Sequence, residues 1–369
     1  MKNNITKTLE DIEKSLPKYE PMSVIRGEQD LHGAAKFIEN KLNKGITHTA
    51  PINWEHGWLF TELKYVPQIK KNLRDHISVT LVAKTSHQEF LNSKDINSIA
   101  VGLPFAYVNN FDDFNIKRIP NSLLIMPPHT LSTVDNNFDE TTYIKEIQKI
   151  KNDFNLIVVC IHQDCVDKGF WINSFEKIGV PFIIGSKGED ANGLLRVNRI
   201  LKHFEYMTTN TMGSHVLYAS YAGCKVSVYG TYQSINKADY RDDPFYKNNR
   251  DLLDHNVEQY KYEIISNKFS FLFTSPKNAK KNLLWAKKEI GEKNMVSLDV
   301  FCAIFQVAEQ AYILAKEKAL MHSKEIEFMR DKMLRIESNK WYNFGLMSKK
   351  DKIKAVLKAI YKKIFRNKT

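Results

Sequence analysis

From Leu123 to Gly230 the chain repeats one unit: a short apolar run, a polar or glycine-bearing turn, then a segment with helical spacing. The apolar runs are Leu123–Met126, Leu156–Ile161, Pro181–Ile184, Phe204–Thr208 and Val226–Tyr229. Between them lie Thr141–Asp153, with Ile144, Ile147 and Ile150 on one face, then Trp171–Ile178, Leu194–His203 and a short helix after Gly213 that stops at Gly223. Strands alternating with helices imply a parallel sheet with crossover helices. This is a doubly wound, Rossmann-like domain, whose ligands sit beyond the carboxyl ends of the strands.

The residues just past those ends have ligand-binding chemistry. They are His129 and Thr130, then His162, Gln163 and Asp164, then Gly185 and Ser186, then Thr209, Asn210, Gly213, Ser214 and His215. The last group precedes a helix. A helix N-terminus offers unpaired amides and the positive end of its dipole, which suits a phosphate or a carboxylate. The alternative at that stretch is an ordinary strand–helix unit whose hydroxyls only cap the helix.

A shorter series precedes it. Residues 1–45 have helical character. Ile46–Ala50 reads as a strand leading into Glu55-His56-Gly57-Trp58, and Ser78–Ala83 and Ser98–Gly102 read as strands around a short helix. The second of these strands ends in Leu103–Tyr107, and Asn109–Phe114 and Arg118–Asn121 read as loop-rich. The expected layout is an N-terminal Rossmann-like domain at 1–119 and a second at 120–275. A helical region at 276–340 packs back on them, and a tail follows at 341–369. Phe269–Phe273 alternates like a late strand, and no uninterrupted apolar run approaches the length of a membrane span.

Charge is needed to place the partners. Of the net +12, the segment 349–369 carries +8, as nine Lys/Arg against Asp351 alone. A general nucleic-acid surface spreads basic groups over a face of the fold, so nucleic acid is not the expected partner. In the tail Ile353, Val356, Leu357, Ile360, Tyr361, Ile364 and Phe365 form one helical stripe, with lysines opposite. That composition fits a helix lying on an anionic membrane surface; its alternative is a packed terminal helix with a solvated lysine face. Four cysteines without metal-like spacing and an N-terminus without a signal-peptide core fit a cytoplasmic protein, peripheral on the inner face of the plasma membrane.

Glu55-His56-Gly57-Trp58, Gly102–Tyr107, Leu124–Thr130 and Thr209–Ala219 together resemble the GT-B glycosyltransferases of bacterial capsule, O-antigen or lipopolysaccharide assembly. The resemblance implies sugar transfer from a nucleotide-sugar donor, bound mainly by the second domain, to a glycolipid or polysaccharide acceptor on the first, with no cofactor and no metal. It makes Glu55 or His56 the candidate general base, and His129, Thr130, Gln163, Gly185, Ser186, Thr209, Asn210, Gly213, Ser214 and His215 the donor site. A CMP-activated acidic sugar is one donor it suggests; UDP- or GDP-sugars and a polyol-phosphate donor stay open. A UDP-sugar 2-epimerase of the same architecture and a non-catalytic membrane scaffold are the competing readings.

Overall fold

The computed structural model describes residues 2–23, 25, 27–42, 52–71, 79–131, 133–134 and 136–338. The expected strand at Ile46–Ala50 and the tail at 341–369 lie outside them. Residues 1–310 form one compact unit and 311–369 a second.

The first unit is mixed α/β and holds two parallel sheets. Its N-terminal helices are α1 (Lys2–Ser15) and α2 (Ala34–Leu42), with a 3₁₀ segment, Glu28–Gly33, between them. The smaller sheet has strands β1 (Asn53–Trp54), β2 (Thr80–Val82) and β3 (Ser98–Ala100) side by side in chain order. Helix α3 (Thr85–Asn92) makes the crossover between β2 and β3. After β3 the chain turns through Gly102 (φ +82°) into α4 (Pro104–Phe111). The stretch Leu103–Tyr107, in which the strand is expected to end, is thus the start of a helix. Pro104 occupies the first helical turn, where its missing N–H costs nothing, and the helix extends through the Asn109–Phe111 stretch read as loop.

The larger sheet begins at β4 (Ile119–Ile125). It continues through α5 (Glu140–Ile150), β5 (Leu156–Ile161), α6 (Gln163–Asp167), α7 (Ile172–Lys177), β6 (Phe182–Ile184) and α8 (Gly193–His203) to β7 (Phe204–Thr209), α9 (Ser214–Tyr221) and β8 (Lys225–Val228). All four pairings are parallel, in the order β6-β5-β4-β7-β8. Numbered within the sheet this is 3-2-1-4-5, the doubly wound order, whose direction reverses between β4 and β7. The strands are apolar on both sides because both faces are covered. Leu123, Ile125, Ile157 and Val159 pack with Ile144, Ile147, Trp171 and Phe175, while Leu124, Val158 and Met207 pack with Leu201, Val216 and Leu217.

This second core is continuous with that of the smaller sheet, including Trp54, Leu81 and Val101. Two features close the join. Helix α1 packs on the larger sheet's α8, where Ser15 Oγ meets His203 Nε2 at 2.8 Å and Arg199 donates to the Ser15 carbonyl. The Phe105 and Tyr218 rings of α4 and α9 stack at 4.2 Å, 5° from parallel.

After β8 come α10 (Pro244–Lys247), α11 (Arg250–Gln259), α12 (Tyr262–Lys268), α13 (Leu283–Ile290) and α14 (Leu298–Ser338). The late strand expected at Phe269–Phe273 is a 3₁₀ turn, Ser270–Leu272, with one bridge from Phe273 to Val228. Phe269 and Leu272, three residues apart, are both buried in the core, while Phe271 is exposed with its ring against Trp285. Phe301 of α14 packs on Trp54 and Tyr107 of the smaller sheet. Leu298–Arg335 is long and apolar enough, by length and composition, to cross a membrane. The sequence hides this because Asp299 and Glu309 interrupt the apolar run.

Candidate functional site

The direction reversal between β4 and β7 is where a doubly wound sheet places its ligand crevice, beyond the carboxyl ends of the strands, and the chain gathers histidines there. The Met126 amide donates to Thr208 O at 2.9 Å, holding the turn after β4 against β7. Pro127 and Pro128 then carry the chain to His129, which is exposed. The His129 ring stacks on His162, past β5, at 4.7 Å and 25°. His162 caps α6: its Nδ1 accepts the Asp164 amide at 3.2 Å, which leaves Nε2 to carry the proton of the neutral ring. Burial, and after it the charges of His129 and His32, push the His162 imidazole down to about 2.

Past β7, His215 Nε2 lies 3.1 Å from Thr209 Oγ1, and burial holds that ring at about 3. Gly213 is the N-cap of α9, extended at φ 173° and with no side-chain cap. A Cβ there would meet the His215 ring at 3.0 Å. Asn210 is buried; its amide donates to Thr231 O at 3.0 Å while its Oδ1 has no partner. Gly185, past β6, packs on Cys160 Sγ, where a Cβ would stand 3.2 Å away, and Ser186 beside it is buried.

His32 enters from the N-terminal 3₁₀ segment. Its amide donates to Gly188 O at 2.7 Å and its ring hydrogen-bonds to the Lys187 backbone. Burial first, and the charges of His56 and His129 second, hold it at about 3. Its ring centroid is 6.1 Å from that of His56. Five of the chain's eleven histidines, from five separate segments, thus gather in one cluster beyond the strand ends. Among the described residues no three His, Cys, Asp or Glu side chains are grouped to hold a metal ion.

The loop after β1 faces this array. The Trp58 amide donates to Ser214 Oγ at 2.9 Å, and Tyr218 OH donates to the His56 carbonyl at 2.5 Å. Gly57 permits the approach, since a Cβ there would lie 3.1 Å from Ser214 Oγ. The two candidate bases diverge. Glu55 is 5% exposed and faces the smaller sheet, where its Oε2 accepts the Ala83 amide at 2.8 Å and meets His87 Nδ1 at 2.9 Å. His56 Nδ1 lies 2.5 Å from Glu28 Oε2, and Lys71 Nζ is 3.7 Å from the other carboxylate oxygen. Burial alone would raise the Glu28 carboxyl, but the hydrogen bond and charge of His56, with Lys71, hold it below the usual range. A carboxylate on Nδ1 leaves the His56 Nε2 lone pair free to take a proton.

Two of the expected donor residues turn into their own loops. Thr130 Oγ1 donates to Val134 O at 3.0 Å, and Gln163 Nε2 donates to Asp167 at 2.7 Å. Glu28, His32, Lys71, His87 and Lys187 are the contributors that sequence reasoning missed. Alongside the loop runs a crevice of about 110 Å³ lined by Trp58, Phe60, Gln68, Lys71, Tyr246 and Tyr260 among others.

No family model matches the chain, and no curated protein matches it. Two solved structures are similar to part of it. One is the pneumococcal O-GlcNAc transferase GtfA in complex with UDP and GlcNAc, at 11% identity and TM-score 0.31, over 70% of this chain and 51% of that one. The other is TarM, at 14% identity and TM-score 0.27, over 66% of this chain and 54% of that one. The chain thus matches about half the length of each, and likeness at this level carries no argument about activity.

Proposed function

We propose that the protein is a glycosyltransferase that binds a nucleotide-sugar in the histidine-lined crevice between β4 and β7 and transfers the sugar to a glycolipid or polysaccharide hydroxyl. The observation that carries this reading is the meeting of an uncapped helix N-terminus and four histidines with a His56–Glu28 dyad across the same crevice. The α9 amides, with the His162 and His215 imidazoles, hold the donor phosphate and stabilise the negative charge that grows on it as the bond to the anomeric carbon breaks. Neutral imidazoles can donate to that oxygen without a fixed cation that would bind product as tightly as substrate. His56 Nε2 takes the proton of the acceptor hydroxyl as its oxygen bonds to the anomeric carbon, and Glu28 stabilises the imidazolium that forms. The base role falls to His56; Glu55 is buried against the smaller sheet, its carboxylate on the Ala83 amide and His87. The aromatic crevice beside Lys71 suits the apolar face of an acceptor sugar.

In this reading residues 1–119 take the acceptor, 120–275 take the donor, and the basic tail at 349–369 holds the enzyme on the inner membrane surface. The donor is a CMP-, UDP- or GDP-sugar, with an acidic sugar on CMP as the first to test. The test is a thermal-shift screen of CMP, UDP, GDP, CDP and their sugars, since a ligand bound to the native state raises its melting temperature. At least one nucleotide should raise it in the wild type and not in His129→Ala. If none does, the crevice holds no donor and the scaffold reading takes its place.

A further inference from the structure

Helix α13 has an outer face that the transferase reading leaves unused. Ala286 and Ile290, one turn apart, are fully buried and define its inner side. Leu284 lies about 160° around the helix from Ala286, by the 3.6-residue period. A soluble helix places a polar residue at such a position. Here Leu284 is 86% exposed, the most exposed large apolar side chain among the described residues, and Leu283 beside it is exposed as well. The preceding 3₁₀ turn adds a third group: Leu272 faces inward while Phe271 is 43% exposed, its ring 5.3 Å from Trp285.

The charge near these three side chains that is left unpaired is positive. The run Lys280-Lys281-Asn282-Leu283-Leu284-Trp285-Ala286-Lys287-Lys288 places cations on both flanks. Its nearby acids are engaged: Glu292 pairs with Lys287 at 3.1 Å, and Glu289 pairs with Lys84 at 3.0 Å and accepts from Trp58. Lys280, Lys281 and Lys288 are exposed, and none has an acid at ion-pair distance among the described residues.

We infer that Phe271, Leu283 and Leu284, ringed by Lys280, Lys281 and Lys288, dock this face on an anionic lipid bilayer. Protruding apolar side chains within a ring of lysines match the headgroup boundary on both counts, because the rings and leucines enter the acyl region while the ammonium groups meet lipid phosphates. A protein partner would supply acids only at fixed points, whereas the lysines here flank the apolar tip on both sides. The inference does not depend on the transferase reading. It also differs from the basic tail at 349–369, because this surface belongs to the folded first unit. Its consequence for the site is positional: Trp285 packs on Trp58 at 5.3 Å, and Trp58 closes the loop that presents His56. A docked surface would lie one aromatic layer from that loop.

The test uses the full chain with Leu284→Cys labelled by an environment-sensitive fluorophore. The four native cysteines are buried, so the label is selective. With vesicles of phosphatidylcholine and 30% phosphatidylglycerol, the label should shift to blue and brighten several-fold; with phosphatidylcholine alone it should not. Lys280→Gln, Lys281→Gln and Lys288→Gln should each weaken partitioning about fivefold at low salt, and Leu284→Asp should weaken it further without lowering the melting temperature. A water-like label on protein that still sediments with anionic vesicles would overturn the inference and leave binding to the tail. A blue shift that depends on protein concentration without vesicles would overturn it in favour of a contact between copies.

Discussion

The Trp58 amide donates to Ser214 Oγ at 2.9 Å across 156 residues of chain. This bond joins the loop that carries His56 to the first residue of the helix whose N-terminus is the proposed donor site. The hydroxyl expected to meet a phosphate is therefore engaged by the loop of the proposed base instead. Ser214→Ala should leave the Trp58 amide unpaired at a part-buried site, lowering stability by about 1–3 kcal/mol. Urea unfolding should read that loss, and turnover should fall more than donor affinity, because the base loop is loosened and the α9 amides remain.

Glu28 and His56 form the second such relationship. Removing the imidazole should lower kcat by about 10²–10⁴-fold. Glu28→Gln keeps the shape but removes the charge that stabilises imidazolium, so kcat should fall by at least about tenfold with little change in the donor KM. Steady-state kinetics with the pH profile decide this. An unchanged acidic limb in Glu28→Gln would remove Glu28 from the dyad.

Glu55 carries a different expectation. Its carboxylate is buried against His87 and the Ala83 amide, so Glu55→Ala should leave the His87 ring and that amide without a partner. Leaving a buried hydrogen-bonding group without its partner typically costs about 1–3 kcal/mol. Calorimetry should show a markedly lower melting temperature, while the activity of the fraction still folded stays within about threefold of wild type. A base lost with Glu55 would instead abolish turnover in a protein of normal stability.

The buried histidines set the acid stability. His32 and His215 are held near 3 and His162 near 2 in the native state, by burial first in each case, whereas an unfolded histidine titrates at about 6.5. Below about pH 6.5 the unfolded chain binds protons that the native chain does not, so stability falls as pH drops from about 6.5 toward 3. Each such histidine can contribute up to about 1.4 kcal/mol per pH unit in that window. The melting temperature should fall between pH 7 and pH 5, and less steeply in His215→Asn than in wild type.

What the sequence disclosed follows from range. Leu156–Ile161 and Phe204–Thr208 are legible because strands covered on both faces must be apolar throughout, and the residues after them are legible by adjacency. Phe269–Phe273 misleads because its aromatics alternate in sequence while its burial follows the three-residue period of a 3₁₀ turn, with Phe269 and Leu272 buried and Phe271 exposed. Glu28 and His32 belong to a segment that reaches the histidine cluster only because the N-terminal chain crosses to Gly188 and Ala191 in the loop between β6 and α8. His87 finds Glu55 through the register of β1 and β2. No local pattern encodes these long-range pairings, so they appear only once the sheets are assembled.

The central claim, a donor phosphate held at the N-terminus of α9 in the histidine crevice, is tested most directly by calorimetric titration. The nucleotide that raises the wild-type melting temperature most should be titrated into wild type and Gly213→Asp. The substitution sets a side chain 3.0 Å from the His215 ring and a carboxylate where the phosphate would lie. The account predicts affinity at least about 100-fold weaker, with wild-type thermal stability changed by less than the loss of binding, since about 2.7 kcal/mol corresponds to that factor. Wild-type affinity in Gly213→Asp would contradict it and place the nucleotide elsewhere on the protein.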